Sequence, residues 1–152
     1  MNDSLPVPVR KKIDLRPYDG VLWRRAVAYF LDLLFAALLF APLALLLFLG
    51  GFVTFGLLWG PLPFLWLATN IIYYSLLVGG SRGSTWGQRL MGLEARTNEG
   101  QTPVLFQALL QIVLFYVSVT VTYGLILLAG LFNPKGQLVH DFFSGIVIRK
   151  VV

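Results

Sequence analysis

In the stretch RRAVAYFLDLLFAALLF, residues 24 to 40, Asp32 interrupts an apolar run that otherwise reads as the start of a membrane span. A carboxylate near the centre of such a helix costs roughly 2.5 to 3.5 kcal/mol on insertion scales, so it needs partners. Arg25 shares its helix face, but seven residues of rise separate the two by about 10.5 Å, and an arginine near a helix end extends toward the headgroups. The partners must come from neighbouring helices. An antiparallel second span puts Asn70 and Tyr73 at similar depth, and a third helix starting at Pro103 brings Gln107 and Gln111 to the same level. The expectation is a polar layer of Asp32, Asn70, Tyr73, Gln107 and Gln111, roughly 10 Å in from one interface. As a functional site it is a binding or proton-relay centre with Asp32 as the exchangeable carboxylate, largely protonated when no cation is bound. As a structural feature it is a helix-packing clamp built on a hydrogen-bonded aspartate.

A second set of chemical groups lies outside the spans. His140 and Asp141 form half of a possible proton relay, or a turn with headgroup contacts. Asp141 is expected to pair with an arginine at the same interface, Arg25 or Arg89. The segment GGSRGSTWGQR is glycine-rich but lacks the Lys-Ser/Thr ending of a phosphate loop and follows an apolar helix rather than a strand, so it reads as a tight turn. With no cysteine and one histidine there is no ligand set for a metal. No nucleophile and base stand together, so the chain is not expected to be an enzyme or to carry a cofactor.

The elements that must position these residues follow from composition. The chain has 152 residues, 57% of them hydrophobic and 12% charged, and its mean hydropathy is +0.77. These values lie outside the soluble globular range and indicate an integral membrane protein. The net charge of +5 sits beside the apolar blocks, which suits topology signals and anionic lipid headgroups rather than nucleic acid. Residues 1–19 read as a basic cytoplasmic tail and residues 20–152 as one membrane domain. Spans are expected over about 22–49 and 62–78, joined by an uncharged turn within 50–61. The basic loop from Gly79 to Pro103 is then cytoplasmic, like the tail. The apolar block 104–132 is too long for one span and too short for two. The basic residues after it favour a re-entrant hairpin bent near Ser118 to Gly124, a single long span being the alternative. The alternating SGIVIRKVV is expected to pair with a strand near Leu93. The fold class is therefore an all-α membrane bundle with a small cytoplasmic β element.

GVLWRRAVAYFLD, GSTWGQRLMGLEA and HDFFSGIVI together resemble the three motifs of the RDD family of small, mostly prokaryotic membrane proteins. The resemblance assigns Arg25, Asp32 and Asp141 to the signature arginine and two aspartates. It also marks Thr85, Gly87, Arg89, Gly92, His140 and Gly145 as cytoplasmic motif residues. The family usually has lysine where this chain has Gln88, and often arginine where it has Gln111. Transport is the activity the resemblance implies, some members being described as cation/proton antiporters. A eukaryotic relative resembles a scaffold in a membrane complex.

The expected function is exchange of a small cation for protons by a homo-oligomer in the prokaryotic plasma membrane, with the N-terminus cytoplasmic. The rival is a scaffold or assembly subunit with a membrane-complex partner. The lipid bilayer is the surrounding partner in both.

Overall fold

The structure is a computed structural model that describes Tyr18, residues 20–125 and residues 138–151. The tail expected over residues 1–19 lies, apart from Tyr18, outside the described residues. Helix α1 spans Val21–Val53 and α2 spans Leu62–Val78, with a 3-10 turn at Leu57–Trp59 between them. A short α3, Trp86–Leu90, precedes strand β1, Leu93–Thr97. After α4, Leu105–Val121, come α5, Val139–Ser144, and strand β2, Ile146–Lys150.

The 33 residues of α1 give a rod about 50 Å long. Its leucines and alanines are strong helix formers, and Pro42 is accommodated within it. The helix outlasts the expected span: Gly50 and Gly51 remain helical, and the turn falls at Phe55 and Gly56, both at positive φ. The reason is tertiary. Trp59 lies directly on the bare backbone of Gly51 and donates from Nε1 to the Phe48 carbonyl at 3.1 Å. Helix α2 has the expected bounds, since a proline is tolerated in its first turn and Gly79 follows its last residue.

Helices α1 and α2 run antiparallel, as successive contacts show: Tyr73 meets Asp32, Trp66 meets Phe40 at 5.6 Å between ring centres, and Trp59 meets Phe48 at 6.0 Å. Helix α4 starts beside the end of α2 and runs in the direction of α1, with Phe115 packed on Tyr29 at 5.6 Å. It ends at Val121 in a turn whose Gly124 is left-handed, inside the region expected to bend. The rest of the 104–132 block lies outside the described residues.

Strands β1 and β2 pair antiparallel, Leu93 opposite Lys150 through Thr97 opposite Ile146. This is the strand pair expected from the sequence. Arg149 on β2 donates to its cross-strand partner Glu94 at 2.9 Å. The inward faces, Leu93, Ala95, Ile146 and Ile148, join Val21, Ala28, Val78 and Ala108 in one buried cluster. The core therefore sits at one end, where α1 starts, α2 ends and α4 starts. Away from it the helices point apolar side chains outward. The best window of α1 has a mean hydropathy of 2.7 with only 6% of it buried, the reverse of a soluble core helix, and that surface requires an apolar surrounding. Helix α1 and the segment Leu57–Val78 are long and apolar enough to cross a bilayer, whereas α4 is shorter.

Because β1 follows α2 and β2 pairs with it, the chain leaves this end along α4 and is back at it by Leu138. With no native cysteine to interfere, single cysteines test the consequence. Glu99→Cys and Val151→Cys should react with an impermeant maleimide from the same membrane side, and Phe55→Cys from the other. Labelling of 99 and 151 from opposite sides would contradict the sheet.

Candidate functional site

Two carboxylates organise the buried end, and they are satisfied in different ways. Asp32, on the second turn inward from Arg25, accepts three hydrogen bonds. Thr85 Oγ1 donates to Oδ2 at 2.6 Å, the Gly87 backbone N–H to Oδ1 at 2.8 Å, and Tyr73 Oη to Oδ1 at 2.8 Å. All three are neutral. The Gly87 N–H only donates, while the two hydroxyls can donate or accept, so the set accommodates either a carboxylate or the neutral acid expected from the sequence.

Local sequence builds two of these donors. In STWGQ, Thr85 is the N-cap of α3: its Oγ1 accepts from the Gln88 N–H at 3.2 Å while its own N–H donates to Gln88 Oε1 at 3.0 Å. This reciprocal cap leaves the hydroxyl hydrogen free to point at Asp32 and the Gly87 N–H unpaired within the helix. Glycine is required at 87 by space. A Cβ there would collide with the Ala28 carbonyl and come within 2.8 Å of the Asp32 carboxyl carbon.

Asp141 is fully buried and sits at the first turn of α5. Its Oδ2 receives Arg25 Nη1 at 2.5 Å and the Leu138 N–H at 3.0 Å, and its Oδ1 receives Gln111 Nε2. Burial raises its pKa, but the adjacent Arg25 guanidinium outweighs this and holds it below the ordinary carboxylate range. His140 Nε2 lies 3.4 Å from Oδ1. Burial pushes the imidazole down to about 4, with Asp141 pulling it up and Arg25 adding to the depression.

A hydrogen-bonded path joins the two centres. Gln111 on α4, bonded to Asp141, accepts from Tyr74 Oη at 2.8 Å. Tyr74 is in turn hydrogen-bonded to Gln88, which caps Thr85, which binds Asp32. The adjacent Tyr73 and Tyr74 on α2 thus serve different carboxylates. Beside this path lies a cavity of about 480 Å³ between α1, α2 and α4, lined by Arg25, Asp32, Tyr73, Tyr74, Gln111 and His140 among others.

The single polar layer expected from depth is divided. Tyr73 contacts Asp32. Asn70 lines the cavity but donates to the Trp66 carbonyl of its own helix. Gln107 turns back to accept from the Val104 N–H, and Gln111 lies a level closer to the interface, on Asp141. The reason is that α4 is set nearer that end than assumed, while α3 dips in to meet Asp32. Of the motif residues, Thr85 and Gly87 bind Asp32, and Arg25 pairs with Asp141. Arg89 instead turns to the Ser84 carbonyl and hydroxyl, and Gly92 and Gly145 hold left-handed turns beside the strands. Tyr74 and Gln88 were missed, and the segment read as a tight turn is a carboxylate-binding helix start. The T-x-x-Q spacing of a capping box was the signal for it.

Fold and site together define a small, mostly helical protein with membrane-length apolar helices and a carboxylate-organised cap at one end. The sequence model of the RDD family matches residues 20–145, and the chain belongs to that family. Family and helices together suggest a membrane protein. No curated protein and no solved structure matches the chain.

Two outcomes follow from the geometry. Gly87→Ala should force α3 off α1 and lower thermal stability in detergent by about 1 to 3 kcal/mol, as overpacking does; an unchanged melting temperature would contradict the close approach. For His140 the folded pKa of about 4 lies below the ordinary 6.5, so the unfolded chain binds the proton first. Stability should be fully present above about pH 6.5 and be lost toward pH 4, by on the order of 3 kcal/mol. Asp141 keeps its contribution over this range, since its pKa is depressed and that stability is lost only as pH falls below the ordinary carboxylate value. Melting in detergent across pH 4 to 7 measures the loss, and His140→Phe should abolish it.

Proposed function

We propose that the protein exchanges a small cation for protons across the prokaryotic plasma membrane, as a multi-pass protein with a cytoplasmic N-terminus, and that Asp32 is the exchanging carboxylate. The observation that carries this reading is the unequal treatment of the two aspartates. Asp141 has its own cation in Arg25. Asp32 lines the cavity with three neutral donors and, among the described residues, no cation within ion-pairing distance. A negative charge in a weakly polar surrounding favours neutralisation by a proton or by a cation, and either one weakens binding of the other. That competition is the elementary requirement of exchange.

The donors supply a means of coupling. Protonation of Asp32 turns an acceptor into a donor and weakens its hold on Thr85 and Gly87, which loosens α3 from α1. Occupancy of the carboxylate thereby biases the position of the cap over the cavity. Three helices of one chain do not enclose a complete alternating-access path, so this reading includes a homo-oligomer. The hold of Asp32 on α3 also favours a second reading, in which the centre is a clamp that shapes the cap of a scaffold for a larger membrane complex.

Reconstituted vesicles with an internal pH dye distinguish the two. The parent protein should move protons in response to a gradient of Na⁺, K⁺ or another small cation, and Asp32→Asn should abolish this. Because the asparagine amide would face a donor, Asp32→Asn should also cost about 1 to 3 kcal/mol of stability, so unfolding and elution are measured on the same preparations. A folded parent without cation-dependent proton movement across a broad ion panel leaves the scaffold reading.

A further inference from the structure

The cavity beside Asp32 is larger and more apolar than a bare ion requires. An alkali or alkaline-earth cation needs a close shell of oxygens, whereas about 480 Å³ lies in the range of small-molecule sites. Its walls include the rings of Tyr29, Phe30, Tyr73, Phe115 and Tyr116. Tyr29 and Tyr116 are hydrogen-bonded to each other, so each satisfies the other's hydroxyl. Aromatic walls around a carboxylate are the surroundings that favour an organic cation, through its charge and through the ring faces.

A second observation points to a ligand independently. His140 lines the same cavity with 3% of its surface exposed, and its Nδ1 has no hydrogen-bond partner among the described residues. Its Nε2 faces Asp141, so the proton of the neutral ring belongs there and Nδ1 is an acceptor lone pair. A buried acceptor left unpaired is costly, and only an N–H or O–H donor satisfies it. Phosphate and carboxylate ligands are disfavoured because they meet the charge of Asp32, and a carboxylate brings no such donor at neutral pH. Arg25 does not change the balance, since Asp141 neutralises it.

We infer that the cavity binds a lipophilic organic cation bearing N–H donors, an amine or amidine with an aromatic or apolar body, with its charge on Asp32 and a donor on His140 Nδ1. This rests on the reading of Asp32 as a cation-exchanging group and names the class of cation it takes. Gln88 and Gln111 are uncharged amides on the path between the aspartates, so among the described residues no lysine or arginine stands between them to compete.

Ethidium is a suitable probe, being an aromatic cation with two amino groups and fluorescence that rises in apolar surroundings. Titrated into the full chain in detergent, it should bind saturably at one site per chain. Affinity should fall at least tenfold in Asp32→Asn and several-fold in His140→Phe, which keeps the ring packing but removes the acceptor. Gln88→Lys should also weaken it at least tenfold by supplying an internal cation while leaving Asp32 in place. Elution and melting of each variant establish that it is folded. Absence of saturable binding to the folded parent, or an affinity equal to the parent's in folded Asp32→Asn and Gln88→Lys, overturns the inference. Vesicle flux separates it from the exchange reading. Asp32-dependent ethidium binding without proton coupling retains the site and removes exchange. Proton-coupled Na⁺ or K⁺ movement by a parent that does not bind ethidium retains exchange and removes the organic-cation site.

Discussion

The structure depends on a carboxylate meeting the start of a helix. Asp32 takes the hydroxyl of Thr85 and the N–H of Gly87, groups that point away from α3 because the first turn of any helix leaves its amides without internal partners. The contact requires a residue without a side chain at 87, and a small one at 28 on the facing helix, where Ala28 is 1% exposed. Once α3 is fixed there, Met91 and Gly92 turn the chain outward and β1 begins at Leu93. The strand then has its inner face over the beginnings of α1 and α4, and β2 has an edge to pair with.

Asp141 does for the C-terminal segment what Asp32 does for the loop. Its carboxylate caps α5 at the Leu138 N–H and draws α1 and α4 together through Arg25 and Gln111. The two centres differ in kind. A fully buried aspartate held against an arginine is a fixed pair, whose separation would leave a charge buried and alone. An aspartate held by neutral donors beside a cavity keeps its charge available. The arginine and two aspartates marked out by the sequence resemblance thus resolve into a closed pair, Arg25 with Asp141, and an open partner, Asp32.

Much of this was legible in the sequence where a local rule and the tertiary outcome agree. Proline at the start and glycine after the end bounded α2. Alternating β-branched residues at 146–150 found the strand opposite 93–97. Charge economy paired Asp141 with an arginine, though Arg89, the other candidate, turned to backbone instead. The failures lie where depth in the membrane was inferred from residue counting. That method keeps every loop outside and starts every helix at the same plane. Here α3 dips inward and α4 is set a level lower, so Gln111 reached Asp141 rather than Asp32. The end of α1 was hidden for a similar reason: a glycine pair breaks a helix in isolation, but not when Trp59 covers it.

The path from Asp141 through Gln111, Tyr74, Gln88 and Thr85 to Asp32 joins five helices, α5, α4, α2, α3 and α1. Each amide in it both accepts and donates, so a change at one end requires reorientation along the row rather than the breaking of a single bond. Loss of the Thr85 contact when Asp32 is neutralised would remove the acceptor that orients the Thr85 hydroxyl, the same oxygen that caps Gln88. Gln88 then loses its reason to hold Tyr74, and Tyr74 its hold on the Gln111 that faces Asp141. Because Asp141 remains fixed to Arg25 throughout, the slack collects at the Asp32 end, where the short α3 is held to α1 by that carboxylate and by Trp86 packed on Phe35. A strong pair at one end and a weaker, chargeable one at the other is the arrangement by which, in the exchange reading, the state of a single aspartate is read out as movement of the cap.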